Sequence, residues 1–354
     1  PRADRPRQIS YLSANCDPMV YPIFFPRGDL GWYVGMKHTA DRSTAVRNKV
    51  TLLQFYAYRL AVRESFSPLF HGGKLFQQYV VDAYIKSESS RLDYIRQNQS
   101  NLRVDLYQGL MDHIQSQNIG QDLNPGKIVV LPSSFQGSPR AMQQNYQDSM
   151  AIVAKYGKPD IFLTFTCNPK CKDVLDCIPP GQKVEHRPDI VARVFKLQLN
   201  ELLCDINERH ALGVPVAYTY VIEFQKRGLP HCHLLIMLSN ESKLREPSDV
   251  DSVICAEIPD PATDPQLYDI VKSTMIHGPC GVLNKNSVCM IEGKCSKNYP
   301  KDFCEETVLN HDGYPQYRRR DNGRTITLGS KEVNNCWVVP YNPYFSKKLG
   351  AHIN

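Results

Sequence analysis

The chain has 354 residues, 42% apolar and 22% charged, an ordinary globular composition with room for two domains. Its 42 basic and 36 acidic residues leave a net charge of +6, which permits a polyanionic partner without demanding one. No apolar run approaches the ~20 residues of a membrane span, and the opening PRADRPRQIS lacks the apolar core of a signal peptide.

The first residue is proline, so the sequence reads as an excerpt or a processed piece. Residues 1–35, with VYPIFFPRGDLGWYV, have a strand-and-turn composition and are expected to be extended. A helix is expected over 43–64, with Leu52, Leu53, Tyr56, Leu60 and Val62 near one side. Two more are expected over 75–116, broken near Asn98 to Asn101. Residues 118–138 read as a polar loop around one short strand, IVVL. Ser138-Pro139 starts a helix, as N-cap and first helical residue, that runs to Tyr156 and stops at Gly157. The β-rich DIFLTFTCNP follows, then a helix from Pro188 to about Glu208 with Ile190, Val194, Leu197 and Leu202 as its apolar stripe. VPVAYTYVIEF (214–224) and HCHLLIML (231–238) are two strands joined by a short polar turn, QKRGLP. A helix near 264–275 comes next, then a cysteine cluster, then a hairpin of YPQYRRR and RTITL turning at Asn322-Gly323. The order predicts an α+β fold with a central antiparallel sheet flanked by helices. Three segments follow from it. They are an extended and helical region over 1–138, a core over 139–245, and a Cys-rich segment with a basic hairpin over 246–354.

The strand GLPHCHLLIM opens on two histidines of equal parity, so His231 and His233 share one face while Cys232 points into the core. Two such imidazoles can grip one cation. On the facing strand Glu223 and Gln225 also share a face, and Glu223 is the better ligand because a carboxylate offsets the charge of the ion. The reading in which both histidines are only hydrogen-bonded residues of a strand start stands beside this one.

These residues resemble a family. GLPHCHLLIM resembles the histidine–hydrophobic–histidine signature of the HUH endonucleases, and DIFLTFTCNP their first motif. More closely, FQQYVVDAYIKSESSRLDYIRQNQ, PDIFLTFTCNPK, RPDIVARVFKLQLNELL, YVIEFQKRGLPHCH, HGPCG, GKCSKNYPKDFCEET, DGYPQYRRRDNG and NCWVVPYNPY resemble, in order, the N-terminal region of Helitron rolling-circle transposases. The resemblance implies a sheet of HUH-endonuclease type and a nuclease acting on single-stranded DNA in the nucleus. It implies Mg2+ or Mn2+ at His231, His233 and Glu223, with manganese the better match to imidazole. It also places Thr164, Thr166 and Asn168 beside the histidines and against DNA. The resemblance further implies a helicase domain in the parent protein, and no GxxxxGK[ST] loop for ATP occurs within these residues. The family cuts with tyrosines in a Tyr-x-x-Lys-Tyr helix after a stretch resembling AHIN. No such pattern is present, and Pro340 and Pro343 forbid a regular helix across Tyr341 and Tyr344. The expected nucleophile therefore lies beyond Asn354, and no catalytic tyrosine is assigned.

Two further features carry chemistry. His277, Cys280, Cys289, Cys295 and Cys304 offer five soft ligands in a polar, glycine-rich segment, and four of them suffice for structural Zn2+. Reduced structural cysteines are the equal alternative, and Cys167, Cys171 and Cys177 read as core or surface thiols. All twelve cysteines fit an intracellular reducing environment. Arg318, Arg319, Arg320 and Arg324 surround the tip of the second hairpin, where guanidinium forks suit phosphates and Tyr314 and Tyr317 suit bases. Two rival functions stay open: a domesticated or decayed DNA-binding module without cleavage, and a zinc-stabilised interaction protein.

Overall fold

The computed structural model describes residues 8–39, 48–99, 129–225, 228–310 and 314–354. The chain divides into two compact units, Pro1–Gln147 with Glu185–Arg187, and Asp148–Val184 with Pro188–Asn354. Apart from residues 139–147 and 185–187, the segments expected as a core and as a separate Cys-rich region thus lie in one unit.

The first unit is built on aromatic packing. Tyr21, Phe24, Phe25, Tyr56, Phe76 and Tyr79 are buried together. They come from the turn after α1 (Cys16–Val20), from α2 (Leu52–Arg59) and from α3 (Lys74–Gln97). Of the stretch expected to be extended, residues 16–20 and 22–24 are helical. The buried Asp17 sits in the first turn of α1, where a carboxylate suits the helix dipole, and it bonds to Tyr56 Oη and Lys86 Nζ. Of the helix expected over 43–64, residues 43–47 lie outside the described residues, and α2 starts at Leu52, where Thr51 and Gln54 form a reciprocal capping box. Asn98 ends α3 where a break was expected. The further helix expected beyond it lies outside the described residues, as do Lys226 and Arg227 of the expected turn.

The IVVL strand is not found at residues 129–131. Its ladder partner is replaced by one side chain. The Gln99 amide donates to the Val130 carbonyl at 3.1 Å and accepts from the Val130 N–H at 2.9 Å. Helix α4 (Pro139–Tyr156) then starts on the Ser138 hydroxyl, which accepts from Ala141 N, and stops at Gly157 with φ +91°.

The second unit holds a four-stranded sheet in the order β2-β3-β1-β8, comprising β1 (Ile161–Thr166), β2 (Pro215–Phe224), β3 (Pro230–Leu238) and β8 (His352–Ile353). Every pairing in it is antiparallel, so the fold is α+β. One face carries Leu163, Phe165, Cys232, Leu234, Ile236 and Ile353, all buried in one cluster with residues of α6 (Pro188–Asn207) and α9 (Pro343–Leu349). Cys167 and Cys171 join that core, while Cys177, just past α5 (Lys172–Leu175), is exposed. The helix α9 was not expected, because Pro343 read as a breaker. It is the first helical residue, with Asn342 as N-cap accepting from Phe345 N.

A second core gathers Ile258, Val271, Met275, Trp337, Val338 and Tyr341. It involves α8 (Pro265–Thr274) and two small hairpins, whereas Val253, at the end of the short α7 (Pro247–Val253), packs against the sheet core. The hairpins are β4 (Met290–Ile291) with β5 (Lys294–Cys295), and β6 (Ile326–Leu328) with β7 (Lys331–Val333). The basic hairpin is corrected here. Ile326–Leu328 pairs forward with Lys331–Val333 across Gly329, whose φ of +63° is the one a Gly-Ser turn supplies. Gln316 and Arg319 bridge backward to Val308 and Cys304. The Asn322 side chain is taken up by Arg324 N and Asn335 Nδ2, so Asn322-Gly323 does not join two strands.

Candidate functional site

The sheet face opposite the core is polar at one end. Pairing sets Thr166 opposite His231, Thr164 opposite His233, Glu223 opposite His231, and Thr166 opposite His352. Paired residues share a face, so all six side chains project to the same side.

His231 and His233 stand edge to face with ring centroids 4.4 Å apart. The ligand atoms of Glu223, His231 and His233 lie within 4.8 Å of one another. The carboxylate Oε1 of Glu223 accepts from Nε2 of His233 at 2.9 Å. Nδ1 of His231 meets Thr166 Oγ1 at 2.7 Å, which fixes the ring and leaves Nε2 as its outward nitrogen. Phe162 stacks flat on His233 at 5.5 Å. Behind it, Nδ1 of His233 is buried without any hydrogen-bond partner. Burial lowers the basicity of His231 below the usual imidazole range, with the neighbouring His233 adding to the effect and Glu223 opposing it. A neutral imidazole with a free lone pair is the form that binds metal. Two imidazoles and one half-exposed carboxylate thus fit a divalent cation with open coordination positions.

The other expected residues of this face have mixed fates. Thr164 is buried, and its backbone pairs with Asn354. Thr166 serves His231. Asn168 spends Nδ2 on the Gly350 carbonyl and Oδ1 on Lys170 N. His352 was missed as a neighbour of the pair. The alternation of AHIN was the available signal, but the strand partner of that tetrapeptide is not written in the sequence. Nδ1 of His352 donates to the Thr274 carbonyl at 2.8 Å, which fixes its tautomer.

A second cluster brings together four of the five expected soft ligands. His277, Cys280, Cys289 and Cys295 place their ligand atoms within 4.8 Å of one another. Cys304 is not among them. Its thiol lies 2.7 Å from the Glu306 carbonyl, and its backbone is bridged to Arg319. Burial and the adjacent thiols of Cys295 and Cys289 push Cys280 up to about 12. Burial opposes ionisation of Cys295 as well, but the N–H groups of Tyr299 and Lys297 outweigh it and bring that thiol down.

The arginines are already engaged within the chain. Arg319 is buried, with Nη1 donating to the carbonyls of Asn335 at 2.7 Å and Val338 at 2.6 Å. Arg318 pairs with Asp251, Arg320 with Glu257 and Arg324 with Asp260. Arg319 is thus not the exposed fork that the sequence suggests, whereas Arg318, Arg320 and Arg324 keep 37%, 48% and 41% of their side chains exposed beside their ion pairs.

A family model, the Helitron helicase-like domain at the N-terminus, matches residues 55–236, just over half of the chain. The chain belongs to this Helitron family. The matched segment contains Glu223, His231 and His233, whereas the second cluster lies outside it. No curated protein matches the chain. Among the described residues of this Helitron family member, no helix is long and apolar enough to cross a membrane.

Proposed function

We propose that this chain supplies the divalent-metal and single-stranded DNA site of a rolling-circle transposase of HUH type. The observation that carries the reading is the convergence of Glu223, His231 and His233 on the polar sheet face, within the segment matched by the Helitron family. Mn2+ or Mg2+, when bound there, supplies Lewis-acid polarisation of a phosphate oxygen. The protein's own part is to orient and to position. Thr166 holds the His231 ring, Phe162 packs the His233 ring, and Glu223 brings compensating charge.

A groove of about 1560 Å3 in the same unit includes Phe162 and Asn354 at the sheet, and Lys297, Tyr299, Lys301 and Tyr317 on its other wall. Aromatic rings with interleaved cations suit the bases and phosphates of one strand. The nucleophile is not assigned. The Tyr341 hydroxyl donates to the buried Glu257 carbonyl, and that of Tyr344 lies 3.4 Å from Asp205.

Calorimetric titration with Mn2+ tests the proposal. One site per chain is expected, with affinity falling at least ~10-fold in His231→Ala and in His233→Ala at unchanged melting temperature. Single-stranded DNA binding without any Mn2+ site would favour the rival reading of a non-catalytic DNA-binding module.

A further inference from the structure

Between Cys280 and Cys295 the chain has no core of its own. None of residues 281–294 is buried. Val282 and Val288 are 96% and 103% exposed, and the hairpin β4–β5 has two residues a side. A hairpin of that size does not hold itself together in water, and each ordered residue costs about 1–2 kcal/mol of backbone entropy. Only Cys289 and Met290 in it pack, half-buried, against the second core, so something besides apolar burial must fix the rest of the stretch.

The four side chains at its ends have the geometry to do so. Nε2 of His277 lies 3.7 Å from Cys280 Sγ and 3.5 Å from Cys295 Sγ. A tetrahedron built on zinc–sulfur and zinc–nitrogen bonds of ordinary length has nitrogen–sulfur edges of ~3.6 Å and sulfur–sulfur edges of ~3.8 Å. With all four atoms inside 4.8 Å, closure needs side-chain movements of no more than about 1 Å. The surroundings are already arranged for it. Tyr299 stacks on the His277 ring at 4.2 Å and 11°, fixing its plane. The Lys297 N–H points at Cys295 Sγ from 3.4 Å, and Ser287 Oγ is 3.3 Å from Cys289 Sγ. The turn of the hairpin places Glu292 and Gly293 at positive φ, which returns Cys295 beside Cys289.

We infer that His277, Cys280, Cys289 and Cys295 form a structural zinc site, distinct from the sheet-face trio. Three thiols lose their protons on binding, and the imidazole binds neutral. The site is closed, with four protein ligands and no open position, so its role is to tie rather than to react. What it ties is the loop Lys297–Lys301 that forms one wall of the groove.

The test uses the full chain, purified with an EDTA wash, and measures zinc by mass spectrometry of the elements. About one equivalent is expected in the parent protein and in the double variant His231→Ala/His233→Ala, so failure of the Mn2+ proposal does not affect this one. Loss of the equivalent is expected in Cys280→Ser/Cys289→Ser. His277→Cys is expected to retain it, since four thiolates also hold zinc. Because the serine variant can fail to fold, the parent chain is also exchanged into Co2+. Thiolate-to-cobalt absorption is expected, and it is to disappear on adding Zn2+. Less than about half an equivalent of zinc in a folded parent, zinc retained by the double serine variant, or a parent mass lower by two hydrogens with no metal would each overturn the inference.

Discussion

Arg319 shows how the residue scale changes the reading. In sequence it sits within RRRDNGR and looks like one of a row of phosphate forks. In the fold it is 4% exposed, and its guanidinium donates to the carbonyls of Asn335 and Val338. Hydrogen bonds from a charged donor are each worth about 1.5–3 kcal/mol when buried. Arg319→Ala is therefore expected to lower unfolding free energy by roughly 3–5 kcal/mol. Urea denaturation reads this directly, and a variant as stable as the parent would refute the structural role. The convergence of Glu223, His231 and His233 was the more legible part of the site. Strand alternation alone pairs His231 with His233 and selects a same-face acid on the adjoining strand, and short connections preserve that parity. Thr166 as the partner of His231 was not legible, because their contact joins residues 65 apart and depends on the β1–β3 register.

At the scale of elements, local signals that end or start a helix read well: Ser138-Pro139, Gly157, and Pro188. Signals with two outcomes did not. Pro343 served as a helix start instead of a break, and Gly329-Ser330 outcompeted Asn322-Gly323 as the hairpin turn. The consequence for RRRDNGR is that Arg320 joins the 256–258 segment through Glu257, with Nε and Nη2 on the two carboxylate oxygens at 2.9 and 2.7 Å. Burial alone would push this carboxyl up, but the side chain and backbone N–H of Arg320 outweigh it and hold it below the usual carboxylate range. A carboxylate depressed in the folded state adds stability above its unfolded pKa, and that contribution disappears as pH falls through the folded value. Glu257→Gln is expected to cost about 2 kcal/mol at neutral pH and to flatten the acid limb of the stability profile. Thermal melts between neutral and strongly acidic pH would show an unchanged slope if the pair were inert.

For the whole molecule, a net charge of +6 says little until the internally paired arginines are set apart. Lys297 and Lys301, in the groove wall with Tyr299 and Tyr317, are the better-placed cations. Binding of a single-stranded oligonucleotide is expected to weaken as salt rises. Replacing both lysines with alanine should flatten the log–log slope by about 1.4, at ~0.7 per lost phosphate contact. Fluorescence anisotropy across a salt series measures it, and a slope equal to that of the parent would remove the groove from the DNA path.

The Gln99 amide has a further consequence, for how a side chain can stand in for a strand. It clasps Val130 from 31 positions away, donating to its carbonyl and accepting from its N–H. An amide side chain presents the same donor and acceptor as a peptide unit, so it satisfies the backbone of a buried residue that lies in no strand. Gln99→Ala would remove both bonds at once and leave two buried backbone groups to find other partners. Whether Val130 can stay buried thus rests on the donor and acceptor of one glutamine.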